Sequence, residues 1–77
     1  MTVSYKVVGS NGPHDALLDS TLTGELVEIS DNFYSFIVGE IDYDLEVQMR
    51  KTIDGKDYLF CWLTSEENCG RVALEIL

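Results

Sequence analysis

Positive charge is missing from more than half of this sequence. No lysine or arginine occurs between Val7 and Met49, whereas the same segment holds nine acidic residues. The rest of the chain has five basic and five acidic residues, so the whole net charge of −9 comes from this one segment. This distribution argues against direct binding to nucleic acid, because nucleic-acid-binding domains carry a basic patch. An anionic membrane would also repel the chain.

Long apolar runs are missing as well. No stretch approaches the ~20 apolar residues of a transmembrane helix, and the first ten residues have the pattern of a strand and not of a signal peptide. We therefore expect a cytoplasmic protein that forms a single small acidic β domain over residues 1–77. The two cysteines, Cys61 and Cys69, are expected to be reduced, because disulfides belong mainly to secreted proteins.

Alternation of apolar and polar residues predicts an all-β fold. Val3, Tyr5 and Val7 alternate with polar residues in a first strand. Further β-rich runs cover residues 25–30, 33–38, 41–53, 57–65 and 71–77. We expect a five- or six-stranded antiparallel meander that forms a bent sheet or a small barrel. The alternative is an α+β fold with one short helix near residues 13–20, where the pattern fits either a helical turn or a loop.

Short turns set the predicted register of these strands. Asp54–Gly55 is a strong signal for a two-residue hairpin, and Gly39–Glu40 and Asp31–Asn32 are treated in the same way. Opposite residues of an antiparallel pair share a face, and all three turns then agree on one core face. That face comprises Val27, Ile29, Tyr34, Phe36, Val38, Ile41, Tyr43, Leu45, Val47, Met49, Tyr58, Phe60 and Trp62.

The opposite face is predicted to carry a row of acids beside an apolar strip. In the segment "GEIDYDLEVQMR" every second residue is polar, and the first four of these are Glu40, Asp42, Asp44 and Glu46. The strip comprises Leu59, Cys61 and Leu63, with Leu26 and Ile37 on the same side. Either the first and last strands cover the strip and close a barrel, or the strip is an exposed binding patch with acidic edges.

The acidic row has an electrostatic cost. Alternate residues on a strand lie ~6.8 Å apart, and two charges at that distance in water repel by about 0.6 kcal/mol before salt screening. Three adjacent pairs cost roughly 1–2 kcal/mol, in a domain whose stability is roughly 5 kcal/mol. Solubility and protection against edge pairing are one explanation for these acids. A charged binding face is the other.

Catalytic and metal-binding chemistry is not expected. Asp42 and Asp44 match an Asp-x-Asp pattern, but no third or fourth ligand is evident, and the spacing of an EF-hand is missing. His14 is the only histidine and belongs to a segment expected to be a flexible loop. We therefore predict no enzyme activity, no metal site and no cofactor.

These observations favour a non-enzymatic inhibitor that presses an acidic sheet face against a basic, nucleic-acid-binding surface of another protein. Regularly spaced carboxylates can replace phosphates there, because lysine and arginine respond mainly to charge and position. Phage-encoded blockers of host defence, including anti-CRISPR proteins, are similar in size and charge. An antitoxin-like partner of a basic nuclease fits equally well. The predicted partner-binding residues are Glu40, Asp42, Asp44, Glu46 and Glu28, and Asp15 and Asp19 are candidates to extend this set.

The alternative function is a structural or assembly module. In that case the apolar strip, or a sheet edge, pairs with a second copy in a homodimer or docks on a larger subunit. The acids would then provide solubility alone. Substitution of Leu63 would break such an assembly, whereas substitution of Asp44 would spare it.

Overall fold

The computed structural model describes residues 1–66 and 68–77 and contains six antiparallel strands that close into a barrel. The strands are β1 (Thr2–Asn11), β2 (Thr21–Ser30), β3 (Phe33–Val38), β4 (Ile41–Ile53), β5 (Lys56–Ser65) and β6 (Asn68–Ile76). Each strand pairs with the next, and β1 pairs with β6 to complete the barrel. The predicted six-stranded all-β meander is therefore confirmed.

The segment between β1 and β2 is not the short α-helix of the alternative prediction. It contains a single 3-10 turn, Asp15–Leu17, and the described residues include no α-helix. No helix among them has the length and apolar character needed to cross a membrane.

All three hairpin turns have the predicted register at the turn itself, and at Asp31–Asn32 the pair next to the turn is Ser30 and Phe33. Val38 lies opposite Ile41, so that Phe36 faces Tyr43, as the turn at Gly39–Glu40 predicts. Ile53 lies opposite Lys56 across the turn at Asp54–Gly55. Both turn residues have positive φ angles, 51° and 79°, which is the conformation of a type I′ turn.

Two β-bulges overturn the predicted register farther from the turns. The pairing shifts between Glu28 and Ser30, so that Leu26 and not Val27 lies opposite Phe36. It shifts again between Val47 and Met49, so that Val47 lies opposite Cys61 instead of Trp62. A bulge adds one residue to one strand, and a shift of one residue moves every later side chain to the other face. The single core face predicted from the three turns is therefore wrong for β2 and β5.

The interior of the barrel reflects this corrected register. The buried apolar residues are Tyr5, Val7, Leu22, Phe36, Tyr43, Leu45, Val47, Leu59, Cys61, Leu63, Val72 and Leu74. Several residues of the predicted core are exposed instead: Val27, Ile29, Ile41 and Met49. Phe60 and Trp62 are half-buried and lie in β5 between the buried positions 59, 61 and 63, so their side chains point out of the barrel.

Polar side chains form contacts near both ends of the barrel. His14, expected in a flexible loop, is only 5% exposed, and its Nε2 atom lies 2.6 Å from the carbonyl oxygen of Leu63. Its ring lies 6.3 Å from that of Tyr43. Toward the other end, Arg50 donates a hydrogen bond to the hydroxyl of Tyr34 at 3.2 Å. Through His14 and Leu17, the segment between β1 and β2 therefore packs against the end of the barrel and contributes to its core.

Both cysteines are free, in agreement with the prediction, but they have different environments. Cys69 is exposed, whereas Cys61 is buried and its removal from water raises the pKa of the thiol to about 12. In the unfolded chain a cysteine ionises near its ordinary pKa of about 8.5. The buried thiol therefore favours the folded state below about pH 8.5, and this contribution is lost as the pH rises toward the folded pKa.

We expect Cys61→Val to flatten the alkaline pH dependence of stability. Between pH 7 and pH 10 the free energy of unfolding of the wild type should fall by about 2 kcal/mol more than that of the variant, because only the wild type has a thiol that ionises on unfolding. Urea unfolding at a series of pH values measures this. Cys69→Val is the control and should behave as the wild type does. Parallel curves for all three proteins would contradict the prediction.

Candidate protein-binding face

The acidic row of β4 lies on the outside of the barrel. Tyr43, Leu45 and Val47 fill the interior, and successive side chains of a strand point to opposite faces. Asp42, Asp44 and Glu46 therefore point outward, and all three are exposed. The structure thus brings three of the five predicted residues together on one outer surface, here called the acidic face.

Neighbouring strands extend the acidic face on both sides of β4. Asp42 lies opposite Ile37 of β3. Asp44 lies between Ser35 of β3 and Thr64 of β5, and Glu46 lies between Phe33 and Trp62. Among these neighbours only Ser35 bonds to the row, since its hydroxyl donates a hydrogen bond of 2.6 Å to Asp42. The described residues include no salt bridge to Asp42, Asp44 or Glu46.

The other predicted acids do not join this row. Glu40 lies in the turn before β4. Glu28 lies opposite Tyr34, which in turn lies opposite the buried Leu45, so the register places Glu28 on the other side of the sheet from Asp44. The expectation that Glu28 shares the acidic face is therefore wrong, because the bulge at Ile29 shifts β2 by one residue.

Asp15 and Asp19 belong to the connection between β1 and β2. Asp15 begins the 3-10 turn and accepts a hydrogen bond from the backbone N–H of Gly12 at 3.3 Å. Asp19 has a positive φ angle of 66°, and its backbone N–H bonds to the carbonyl of Val7. Both residues are exposed, but they belong to the segment that covers the end of the barrel and not to the outer row of β4.

Glu25 is an acid of this face that the sequence analysis missed. It lies opposite Ile37, which lies opposite Asp42. Its carboxylate forms an ion pair with the amino group of Met1 and accepts a hydrogen bond from the hydroxyl of Thr2. The hydrogen bond from the terminal amino group is the main reason that the pKa of Glu25 is lowered. Glu25 is therefore partly neutralised, unlike the row on β4.

Two aromatic residues of this face were also missed. Phe33 and Trp62 lie on either side of Glu46, and together with Asp44, Thr64 and Cys69 they line a hollow of about 330 Å³. The prediction that Trp62 lies in the core is wrong, because the bulge between Val47 and Met49 interrupts the β4–β5 ladder. The guanidinium carbon of Arg71 lies 4.9 Å from the centre of the Trp62 ring.

The apolar strip is not a surface feature. Leu59, Cys61 and Leu63 are each at most 3% exposed and belong to the core of the barrel. The interpretation that the first and last strands close a barrel over the strip is confirmed, and the interpretation of an exposed patch with acidic edges is wrong. Of the two other residues, Leu26 packs against the core, whereas Ile37 stays outside.

Most basic residues lie away from the acidic face, with Arg71 beside Trp62 as the exception. Beyond the bulge in β4, one row of paired residues crosses four strands. It runs from Lys51 on β4 through Tyr58 on β5 and Glu75 on β6 to Lys6 on β1. The Lys56 ammonium lies 3.9 Å from the Glu75 carboxylate. The surface is therefore divided, with unneutralised acids over the first half of β4 and most bases beyond its second half.

The described residues contain no group of three or more histidine, cysteine, aspartate or glutamate side chains placed to hold a metal ion.

Comparison of the chain with protein-family models, with curated proteins and with solved structures gave no significant match. The assignment of function therefore rests on geometry and charge.

Neutralising the centre of the acidic row should stabilise the protein. Asp44 has an acidic neighbour two residues away on each side, so Asp44→Asn removes two repelling pairs and should raise the free energy of unfolding by about 1 kcal/mol at low ionic strength. The gain should vanish near 1 M salt, where charges are screened within about 3 Å. Glu28→Gln is the control, because Glu28 has no such acidic neighbours and should show no gain. An equal gain at both salt concentrations would contradict the electrostatic explanation.

Proposed function

We propose that this protein is a non-enzymatic, cytoplasmic inhibitor that uses its acidic face to cover a basic, nucleic-acid-binding surface of another protein. The setting that fits its size and charge is phage defence against host immunity, as in anti-CRISPR proteins. The partner is a nucleic-acid-handling complex. The protein itself does not bind nucleic acid or membranes.

The observation that supports this function is the exposure of three adjacent carboxylates without a compensating cation. Asp42, Asp44 and Glu46 point to the same side of one strand, and the described salt bridges involve other residues. A surface selected for solubility would intersperse both signs of charge. Here four of the five bases lie elsewhere on the barrel, and the fifth, Arg71, lies against the Trp62 ring and forms no described salt bridge to the row.

The rigidity of β4 adds to the argument. Each outward carboxylate alternates with a side chain that is buried in the core, so the spacing of the charges is set by the packing of Tyr43, Leu45 and Val47. The repulsion among the carboxylates is therefore present in the free protein. A cationic partner would relieve it, and complementary charge also accelerates association and makes it sensitive to salt.

Charge reversal tests this function. The double variant Asp44→Lys, Glu46→Lys should lose its partner in a pull-down from bacterial lysate at low salt, whereas the wild type should retain a nucleic-acid-handling protein and release it at high salt. The matched control is Glu28→Lys, Asp31→Lys, which changes the net charge by the same amount away from the row. Retention of the same partner by both double variants at both salt concentrations would contradict the proposal.

An assembly module is the second candidate, and one observation favours it. A groove of about 420 Å³ crosses the outside of β1, β4, β5 and β6, with Gly9, Met49, Phe60 and Ala73 among its lining residues. Met49 is 54% exposed. This groove replaces the buried strip as the apolar surface through which two copies could associate.

Sedimentation velocity separates the two candidates. The inhibitor function predicts a monomer whose sedimentation coefficient does not change with concentration. Self-assembly through the groove predicts a larger species at high concentration that Met49→Glu abolishes and that Asp44→Lys preserves. Leu63→Glu is unsuitable as a test, because it would place a charge in the core and unfold the protein.

A further inference from the structure

We propose that the hollow between Phe33 and Trp62 binds the guanidinium group of one arginine side chain on the protein partner. This inference rests on the proposed function and specifies how the acidic face recognises its target. The hollow has a volume of about 330 Å³ and is lined by Phe33, Asp44, Glu46, Trp62, Thr64 and Cys69. That is close to the lower limit of ~300 Å³ for small-molecule sites, and it suits a single side chain.

The two aromatic residues that line the hollow flank Glu46 on the neighbouring strands. Phe33 on β3 and Trp62 on β5 both lie opposite Glu46 on β4, so the rings start from strands about 10 Å apart. A flat cation between two rings needs about 3.5–4 Å on each side. The strand spacing therefore leaves room for a guanidinium above Glu46, within reach of two aromatic side chains, and aromatic rings attract positive charge at their faces.

The carboxylates of the hollow provide hydrogen-bond acceptors and negative charge for the guanidinium group. Asp44 and Glu46 line the hollow, and the described residues include no salt bridge to either of them. Their oxygen atoms are hydrogen-bond acceptors for the N–H groups of a cation. A neutral apolar ligand would leave both carboxylates partly desolvated and without a partner, which disfavours it.

The Trp62 ring already binds a guanidinium within the protein. The Cζ atom of Arg71 lies 4.9 Å from the ring centre, within the ~6 Å range of cation–π contacts. Arg71 comes from β6 and is not among the residues that line the hollow. The contact shows that the surroundings of this half-buried ring admit a guanidinium. The aromatic lining of the hollow is an observation separate from the acidic row.

Arginine fits this lining better than lysine does. Its guanidinium is flat, so it can stack on a ring while its N–H groups form paired hydrogen bonds with a carboxylate. A lysine ammonium is compact and strongly hydrated, so it would gain the charge interaction with Asp44 and Glu46 but less from stacking. The hollow offers rings and carboxylates side by side, which is the combination that arginine uses.

Peptide binding to the intact protein tests the inference. The probe is a labelled peptide of alternating arginine and glycine, with lysine and citrulline versions for comparison, and Kd is measured by fluorescence anisotropy. Emission from Trp62, the only tryptophan in the chain, gives a second signal at the hollow. The variants are Phe33→Leu and Trp62→Leu. Both leave the net charge unchanged, so non-specific attraction to the peptide is the same as in the wild type.

The matched control is Phe60→Leu, which removes an outward aromatic ring of β5 that does not line the hollow. We expect Phe33→Leu and Trp62→Leu to weaken arginine-peptide binding by about five- to thirty-fold, and Phe60→Leu to have no effect. The arginine peptide should bind more tightly than the lysine peptide, and the citrulline peptide should not bind. Thermal unfolding of each variant confirms that it is folded.

Three results would overturn the inference. These are wild-type affinity in both hollow variants, equal or tighter binding of the lysine peptide, and no change in Trp62 emission when the arginine peptide binds. The proposed function would survive all three if Asp44→Lys, Glu46→Lys still abolished partner binding in the pull-down. If the double variant Asp44→Lys, Glu46→Lys retained the partner in the pull-down, that result would instead contradict the proposed function itself.

Discussion

The bulge between Val47 and Met49 determines how the surface of this barrel is divided. Before the bulge, β4 alternates buried apolar residues with outward acids. After it, the alternation is shifted by one, so that Met49 and Lys51 point outward and Arg50 points toward the end of the barrel. The same shift carries across to β5, where Leu59, Cys61 and Leu63 enter the core and Trp62 leaves it. An unbroken ladder would bury Trp62 and remove the hollow beside Glu46.

Electrostatics and packing oppose each other along the first half of β4. Packing of Tyr43, Leu45 and Val47 in the core anchors this part of the strand, which holds Asp42, Asp44 and Glu46 at a regular spacing. Their mutual repulsion destabilises the folded protein by an amount that matters for a domain of this size. On the acidic face, two acids have a partner within the protein. Glu25 pairs with the amino terminus, and Asp42 accepts a hydrogen bond from Ser35. Asp44 and Glu46 have no such partner among the described residues, and they are the two that line the hollow.

Much of the candidate face could be predicted from the sequence, and its aromatic half could not. The alternation around Asp42, Asp44 and Glu46 is local, so it survives any error in the register of neighbouring strands. Glu25, Phe33 and Trp62 join the face only through cross-strand pairing. Their positions depend on where the bulges fall, and neither Ile29 nor Gln48 carries a local signal that marks it as the extra residue. His14 is a similar case, because its burial depends on contact with Leu63 and Tyr43, which are distant in sequence.

By itself, the sequence determined the all-β class, the antiparallel meander, the register next to the turns at Asp31–Asn32, Gly39–Glu40 and Asp54–Gly55, and the outward acids of β4. These properties follow from residue alternation and from turn residues, which act over a few positions of the chain. Only the tertiary structure decided which side of β2 and β5 faces the core, where His14 lies and which residues surround Glu46. Closing six short strands into a barrel requires a strong bend, and β-bulges provide that bend by shifting the pairing. Where such a shift falls is settled by the packing of the whole barrel and not by the residues beside it.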